Sequence, residues 1–335
     1  MAGSVRRIQL VGGSTYIVSL PKEWVENHRL GKGSQVMIST LPDGSLLLKP
    51  LAGGGRPERR AVVEARGGYG RLLRAIISSY IAGARVIEVR YSVDQHETVM
   101  EVVGQISRIL LGVEMLDSEP GLVRLYSVLD DYAVSFRDAY AKMRRGVEGM
   151  LESLTRGLEE ENKVLITATI ERDDLVDRLY LYLARQMTRA LLEGRATQVL
   201  GISSTAEAPY LFLALKSMER IGDHATIIAR IALSSGVAPL RPHLDIVREV
   251  ASTVHTAAGL LPGPGPGAVE EAQETADKAS VIRRRVRETR DRSRRLPEVR
   301  ALDSMERIAG YTQDMAEAVI NIASIRASIG QDSNP

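Results

Sequence analysis

From Asp131 onward, apolar residues return every three or four positions for about 200 residues, a period that only helices can use. The pattern breaks near 160–162, 194–204, 236–242, 261–267 and 296–297, which predicts six helices. One hexapeptide of the third helix, Ser217-Met218-Glu219-Arg220-Ile221-Gly222, returns in the sixth as Ser304-Met305-Glu306-Arg307-Ile308-Ala309. A duplicated three-helix unit accounts for both the helix count and the echo, so tandem bundles are expected over 130–238 and 240–330.

Carboxylates interrupt the seams of the first bundle. On its second helix the stripe Ile166, Ile170, Asp173, Asp177, Tyr180, Ala184, Met187, Leu191 steps by three and four. On its third helix Phe212, Leu215, Glu219, Gly222, Thr226, Ala229 and Leu233 do the same, with Asp223 one turn beyond Glu219. A buried, unpaired carboxylate costs several kcal/mol, against a total domain stability of about 5–15 kcal/mol. Such acids need a metal ion, an arginine such as Arg172 or Arg220, or open water. The chain has no Cys, so any metal must take oxygen or imidazole ligands.

The N-terminal pattern is different. Strands are expected at 7–11, 15–20, 35–40 and 46–49, with a short helix at 22–27 behind Pro21 and a tight turn at Pro42-Asp43-Gly44. Four strands and one helical turn cannot bury a core alone, so this unit calls for a partner, most simply a second copy. Gly53-Gly54-Gly55 reads as a linker to a compact α+β unit over 58–128, with strands at 61–65, 85–91, 113–117 and 122–126 and helices at 69–81 and 97–110. That unit carries no recognisable chemistry and is read as a spacer or dimerisation module.

Charge divides along the same lines. Residues 1–60 hold nine basic side chains against four acidic ones, whereas 148–177 hold nine acids against three bases. A basic end and an acidic middle suit two kinds of ligand, unless both are merely solvated faces. The arginines at 283, 284, 285, 287, 290, 292, 294 and 295 form a second basic stretch, read as a helix face pairing with acidic neighbours. The five histidines show no HExxH spacing, and His224 is read as a packing residue or a support beside the acids. No apolar run of about 18 residues spans a membrane, and residues 1–7 lack the apolar stretch of a signal peptide, so a cytoplasmic location is expected.

Ser217-Met218-Glu219-Arg220-Ile221-Gly222-Asp223-His224-Ala225 resembles the signature of the PhoU family of phosphate-uptake regulators, built as pairs of three-helix bundles. Glu171-Arg172-Asp173-Asp174-Leu175-Val176-Asp177-Arg178-Leu179-Tyr180 is similar to that family's acidic second-helix motif. The resemblance implies a metal cluster, iron or zinc, on Asp173, Asp177, Glu219 and Asp223, with Glu171 or Asp174 as a further ligand. Two departures stand out: Ile227 replaces the family's Asn, and Gly310 replaces the second acid of the other repeat. Asp277, Glu306 and Asp314 remain there as a degraded second site.

The stretch from Arg7 to Trp24, with Leu30-Gly31-Lys32-Gly33, resembles the AbrB/SpoVT/MazE swapped-hairpin domain. That resemblance implies a homodimer that binds DNA through Arg6, Arg7, Lys22, Arg29 and Lys32. The whole arrangement resembles archaeal PhoU-type regulators. The fold expected is therefore multidomain: a β-rich swapped-hairpin unit over 1–52, a central α+β domain, and all-α tandem bundles. The function expected is a non-enzymatic, DNA-binding regulator of phosphate uptake or signalling. An adaptor that docks a phosphate transporter or sensor without binding DNA is the alternative. A di-metal bundle enzyme is disfavoured, since that class needs Glu-x-x-His pairs and none occurs in the bundle region.

Overall fold

The computed structural model describes residues 5–40, 44, 46–50, 59–261, 263, 265 and 267–331. The Gly53–Gly55 linker, Pro42 and Asp43 of the first turn, and the prolines of the 261–267 loop lie outside the described residues. The chain forms two units, Met1–Arg59 and Arg60–Pro335.

The first unit is a pair of hairpins around one helix. Strands β1 (Gln9–Val11) and β2 (Thr15–Ile17) pair antiparallel; α1 (Lys22–Asn27) follows; β3 (Val36–Thr40) and β4 (Leu46–Pro50) pair antiparallel. The strands expected over 7–11 and 15–20 are shorter than their sequence pattern. Among the residues of this unit whose side chains are described, none is buried. Ile8 and Tyr16 are 72% and 74% exposed. Two-stranded hairpins are marginal in water, and this unit encloses no core of its own.

The second unit opens with an α+β domain: β5 (Arg60–Glu64), α2 (Tyr69–Ile81), β6 (Val86–Arg90), α3 (His96–Ile109), β7 (Val113–Glu119) and β8 (Leu122–Ser127). The sheet order is β5-β6-β8-β7, parallel between β5 and β6 and antiparallel elsewhere. Leu72, Ile76 and Tyr80 of α2 and Val99, Val102 and Ile106 of α3 bury against Val89, Val123 and Leu125 of the sheet. These two helices present apolar residues at steps of three and four, so one sheet face is enough to cover them.

The bundles follow. The first comprises α4 (Phe136–Glu159), α5 (Lys163–Leu192) and, after the short α6 (Ala196–Leu200), α7 (Ala208–Ser235). The second comprises α8 (Leu244–Gly259), α9 (Ala268–Arg292) and α10 (Leu296–Gln331). Capping explains the tight α4–α5 connection: the Asn162 side chain accepts from the backbone N–H groups of Val164 and Leu165. The last break falls at 293–295, not at 296–297. Pro297 instead sits in the first turn of α10, where its missing N–H costs nothing. The two bundles share one apolar core, running from Met150 and Met218 through Val254 to Ile282 and Val319. Among the described residues no helix is long and apolar enough to cross a membrane.

Arg185 of α5 joins the bundle to the α+β domain. Its side chain is almost fully buried, and Nη1 donates to the carbonyls of Tyr80 (2.6 Å), in the last turn of α2, and Ala84 (2.9 Å), just after it. Nε donates to Asp131 at 2.7 Å, and the guanidinium lies over the Tyr80 ring at 4.6 Å. A buried cation is tolerable here because a carboxylate, the negative end of a helix and an aromatic face all meet it.

Candidate metal centre

The four-residue spacing of Asp173 and Asp177 stacks them one turn apart on α5, and α7 brings Asp223 to meet them. One oxygen from each of the three carboxylates lies within 4.8 Å of the others, and all three residues are half-buried. Oδ1 of Asp173 and Oδ1 of Asp177 are buried and accept no hydrogen bond. Gly222 allows the close approach of the two helices. A Cβ at that position would stand 3.3 Å from Asp173 Oδ1.

Burial pushes the Asp177 carboxyl up to about 7, and the charges of Asp173, Glu219 and Asp223 push in the same direction, against Lys216. Burial likewise pushes Asp173 up to about 6. The Thr226 hydroxyl beside Asp173, near but not aligned as a hydrogen bond, pulls it the other way. Converging acids of this kind resist losing their protons together, because each charge raises the cost of the next.

Glu219 stands at the edge of this group. Lys216 Nζ lies 2.6 Å from its Oε1 and Arg220 Nε 3.7 Å from its Oε2, so two cations already serve it. Arg220 also pairs with Asp223 at 3.1 Å. Arg172, the other expected compensator, turns away and donates to the Gly149 carbonyl and the Ser153 hydroxyl. Glu171 and Asp174 are exposed and outside the converging group. His224 is half-buried, its ring 5.9 Å from that of Tyr311, and burial lowers its pKa. Lys216 went unnoticed in the sequence, although its three-residue spacing from Glu219 is an ordinary helical ion-pair signal.

The second bundle differs in kind. Glu306 accepts from Arg287 (2.5 Å) and Arg290 (2.8 Å), and Arg290 also holds Asp303 at 3.0 Å. Asp277 is exposed on α9, and Asp314 is half-buried on α10. The expected degraded site at Asp277, Glu306 and Asp314 is therefore not assembled: among the described residues the one converging group of this type is on the first bundle. The physical reason is the phase of α9. Thr275 and Thr169 are both buried and both return their hydroxyls to the carbonyl four residues back. Counting on from these threonines puts Ala279 at the place of Asp173 and Arg283 at that of Asp177.

The other arginines of α9 behave as a paired helix face, with Arg285 bonded to Asp245 and Glu249. In the N-terminal unit Arg6, Arg7, Lys22, Arg29 and Lys32 are all exposed. Lys22 faces Glu26 at 3.6 Å, a solvent-screened pair, and Arg29 closes α1 at a positive φ of 52°.

No curated protein and no solved structure matches the chain. Two family models do, each over part of it. Residues 9–56 match the bacterial antitoxin MazE, described as antidote–toxin recognition, and residues 140–232, which take in nearly all of the first bundle and its acidic group, match the PhoU domain.

Proposed function

We propose that this chain is a phosphate-related regulator, in which a metal-binding bundle is coupled to an N-terminal unit that pairs with a second copy and binds DNA. The observation that carries this reading is the convergence of Asp173, Asp177 and Asp223, with two buried and unpartnered oxygens, inside the segment that matches the PhoU domain. An all-oxygen donor set of this kind suits a hard cation, with iron ahead of zinc. Asp173, Asp177 and Asp223 would hold it, with Glu219 beside them. A bound cation would neutralise acids that otherwise repel. The protein works in this reading without catalysis, by assembly and binding.

The exposed apolar strands of the first unit support pairing with a second copy, since a hairpin unit without a core must find one elsewhere. The five exposed cations supply phosphate contacts, each worth about 0.9 in the log–log salt slope of DNA affinity. The match to an antitoxin model favours a second reading, in which the same surface recognises a protein, such as a toxin-like partner or a transporter or sensor component.

Elemental analysis of the native protein, with DNA retention measured before and after chelation, tests the main reading. Stoichiometric metal and salt-dependent DNA binding that weakens in Arg7→Ala/Lys22→Ala are expected. A metal-free protein with unperturbed melting on chelation would overturn the metal assignment. Unchanged DNA affinity in the double variant would move recognition away from the hairpins. A monomer at micromolar concentration by sedimentation would remove the paired-hairpin reading.

A further inference from the structure

Where the first bundle gathers acids, the second opens a cavity of about 570 Å³ between α9 and α10, walled on one side by His224 of α7. Four arginines line it, against three carboxylates. Two of the arginines, Arg287 and Arg290, are occupied by Glu306 and Asp303. The other two are not. Arg283 spends Nη1 on the neutral amide oxygen of Gln313 at 3.0 Å, while its Nε is buried and donates to nothing. Arg307 is exposed and makes no ion pair among the described residues. Gly310, at the place that Asp223 occupies in the first repeat, puts no side chain against the edge of Arg283: a Cβ there would sit 3.6 Å from Nε and 3.7 Å from Cζ.

A half-buried guanidinium with an unused N–H in a concave site is unsatisfied, because burial has removed its water without supplying an acceptor. Planar N–H donors of this type match the oxygens of a tetrahedral phosphoryl group, which can accept two of them at once. The cavity falls within the range of about 300–1,000 Å³ usual for small-molecule sites. A cation entering it would face Arg283 and Arg307, with only Asp314 near Arg283 to offset them. Asp314 is the one carboxylate of the wall without an ion pair, and it opposes an anion.

We propose that this cavity binds a phosphoryl dianion, either free phosphate or the phosphate of a small phosphomonoester, through Arg283 and Arg307, with Gly310 providing the space. The two repeats would thus have taken opposite ligands on equivalent faces. The assignment does not depend on metal in the first bundle, and elemental analysis can fail without touching it.

The test is calorimetric titration of the full chain with inorganic phosphate, adenosine monophosphate and adenosine. Saturable binding of phosphate, or of the monophosphate but not adenosine, is expected, the first pattern indicating the free ion and the second a phosphomonoester. Arg283→Gln should weaken binding roughly tenfold or more, the scale of a lost hydrogen bond between charged groups. Gly310→Asp, which puts a carboxylate against Arg283, should abolish it, and Asp314→Asn should strengthen it. Arg307→Gln, an exposed change that keeps the fold, should weaken binding by a few-fold. Arg285→Gln, outside the cavity, should not alter it. Absence of saturable binding by either phosphate ligand, equal affinity for adenosine and its monophosphate, or wild-type affinity in Arg283→Gln, Gly310→Asp and Arg307→Gln alike would overturn the proposal.

Discussion

The acidic face of the first bundle and the arginine-lined face of the second differ in charge. On α5 and α7 three carboxylates converge, and two of their oxygens lack any partner. Of the four corresponding positions on α9 and α10, only Glu306 is a carboxylate, and two arginines hold it. Asp177 corresponds in position to Arg283, Asp173 to Ala279, and Asp223 to Gly310. The core beside each face is kept, in residues such as Val176 and Ile282 that are buried and apolar in both bundles.

The largest effect that would sharpen this contrast is metal dependence. Loading should stabilise the protein by about 2.7 kcal/mol at a hundredfold excess over Kd, and chelation should lower Tm accordingly. Asp223→Asn should remove most of that sensitivity, while Glu306→Gln should keep it, both read by thermal melts with and without chelator. Equal losses would mean that the two faces are alike after all.

Next comes the pH response of the metal-free protein. Asp173 and Asp177 hold their protons to about pH 6 and 7 when folded, well above the ordinary carboxylate value. Between about pH 4 and 7 the folded chain therefore binds more protons than the unfolded one, and stability must fall as pH rises through that window. Asp177→Asn should raise stability at pH 8 by about 1–2 kcal/mol, a figure reduced for partial exposure. Denaturant titrations at pH 5 and pH 8 would show it. A metal-free wild type equally stable at both values would mean that the acids are freely solvated.

A smaller effect is expected on the arginine face. Arg290→Met leaves Asp303 unpaired and Glu306 with Arg287 alone, and should cost about 1 kcal/mol. Removing Arg290 without any loss would show that Arg287 suffices. The smallest change belongs to Lys216→Met. It breaks a helical ion pair worth about 0.2–0.5 kcal/mol but frees Glu219, so metal affinity should rise more than stability falls. A fall in metal affinity would assign Lys216 a supporting part in the site.

Much of this was legible in advance where side chains are large and the period is strong. The helices Lys22–Asn27 and Tyr69–Ile81 lie where proline and the apolar spacing put them, and the acids of α5 were conspicuous in a stripe of Ile, Tyr and Met. The phase of α9 was not legible. Its buried stripe begins with Ala268, Ala272, Thr275 and Ala279, residues too small to distinguish an inner face from an outer one in a helix rich in arginine. Asp277 therefore looked like a ligand, and Arg283 looked like one member of a solvated run. The choice of Arg220 over Arg172 as the partner of the acids was equally hidden. It depends on which neighbouring helix each guanidinium reaches, and helical periodicity does not encode that.

The continuity of α5 has a mechanical meaning. Between Lys163 and Leu192 the helix contains neither proline nor glycine, so it has none of the usual points at which a helix kinks. Asp177 and Arg185 sit about 12 Å apart along its axis, at 1.5 Å per residue. The middle of that rod carries the acidic group, and two turns further on Arg185 pins it to carbonyls of the α+β domain. Hydrogen-bonded helices compress little, so an axial displacement imposed at Asp177 would reach Tyr80 and Ala84 with little loss. The α+β domain engages the bundle along α5, and Arg185 is the tooth that meshes with it.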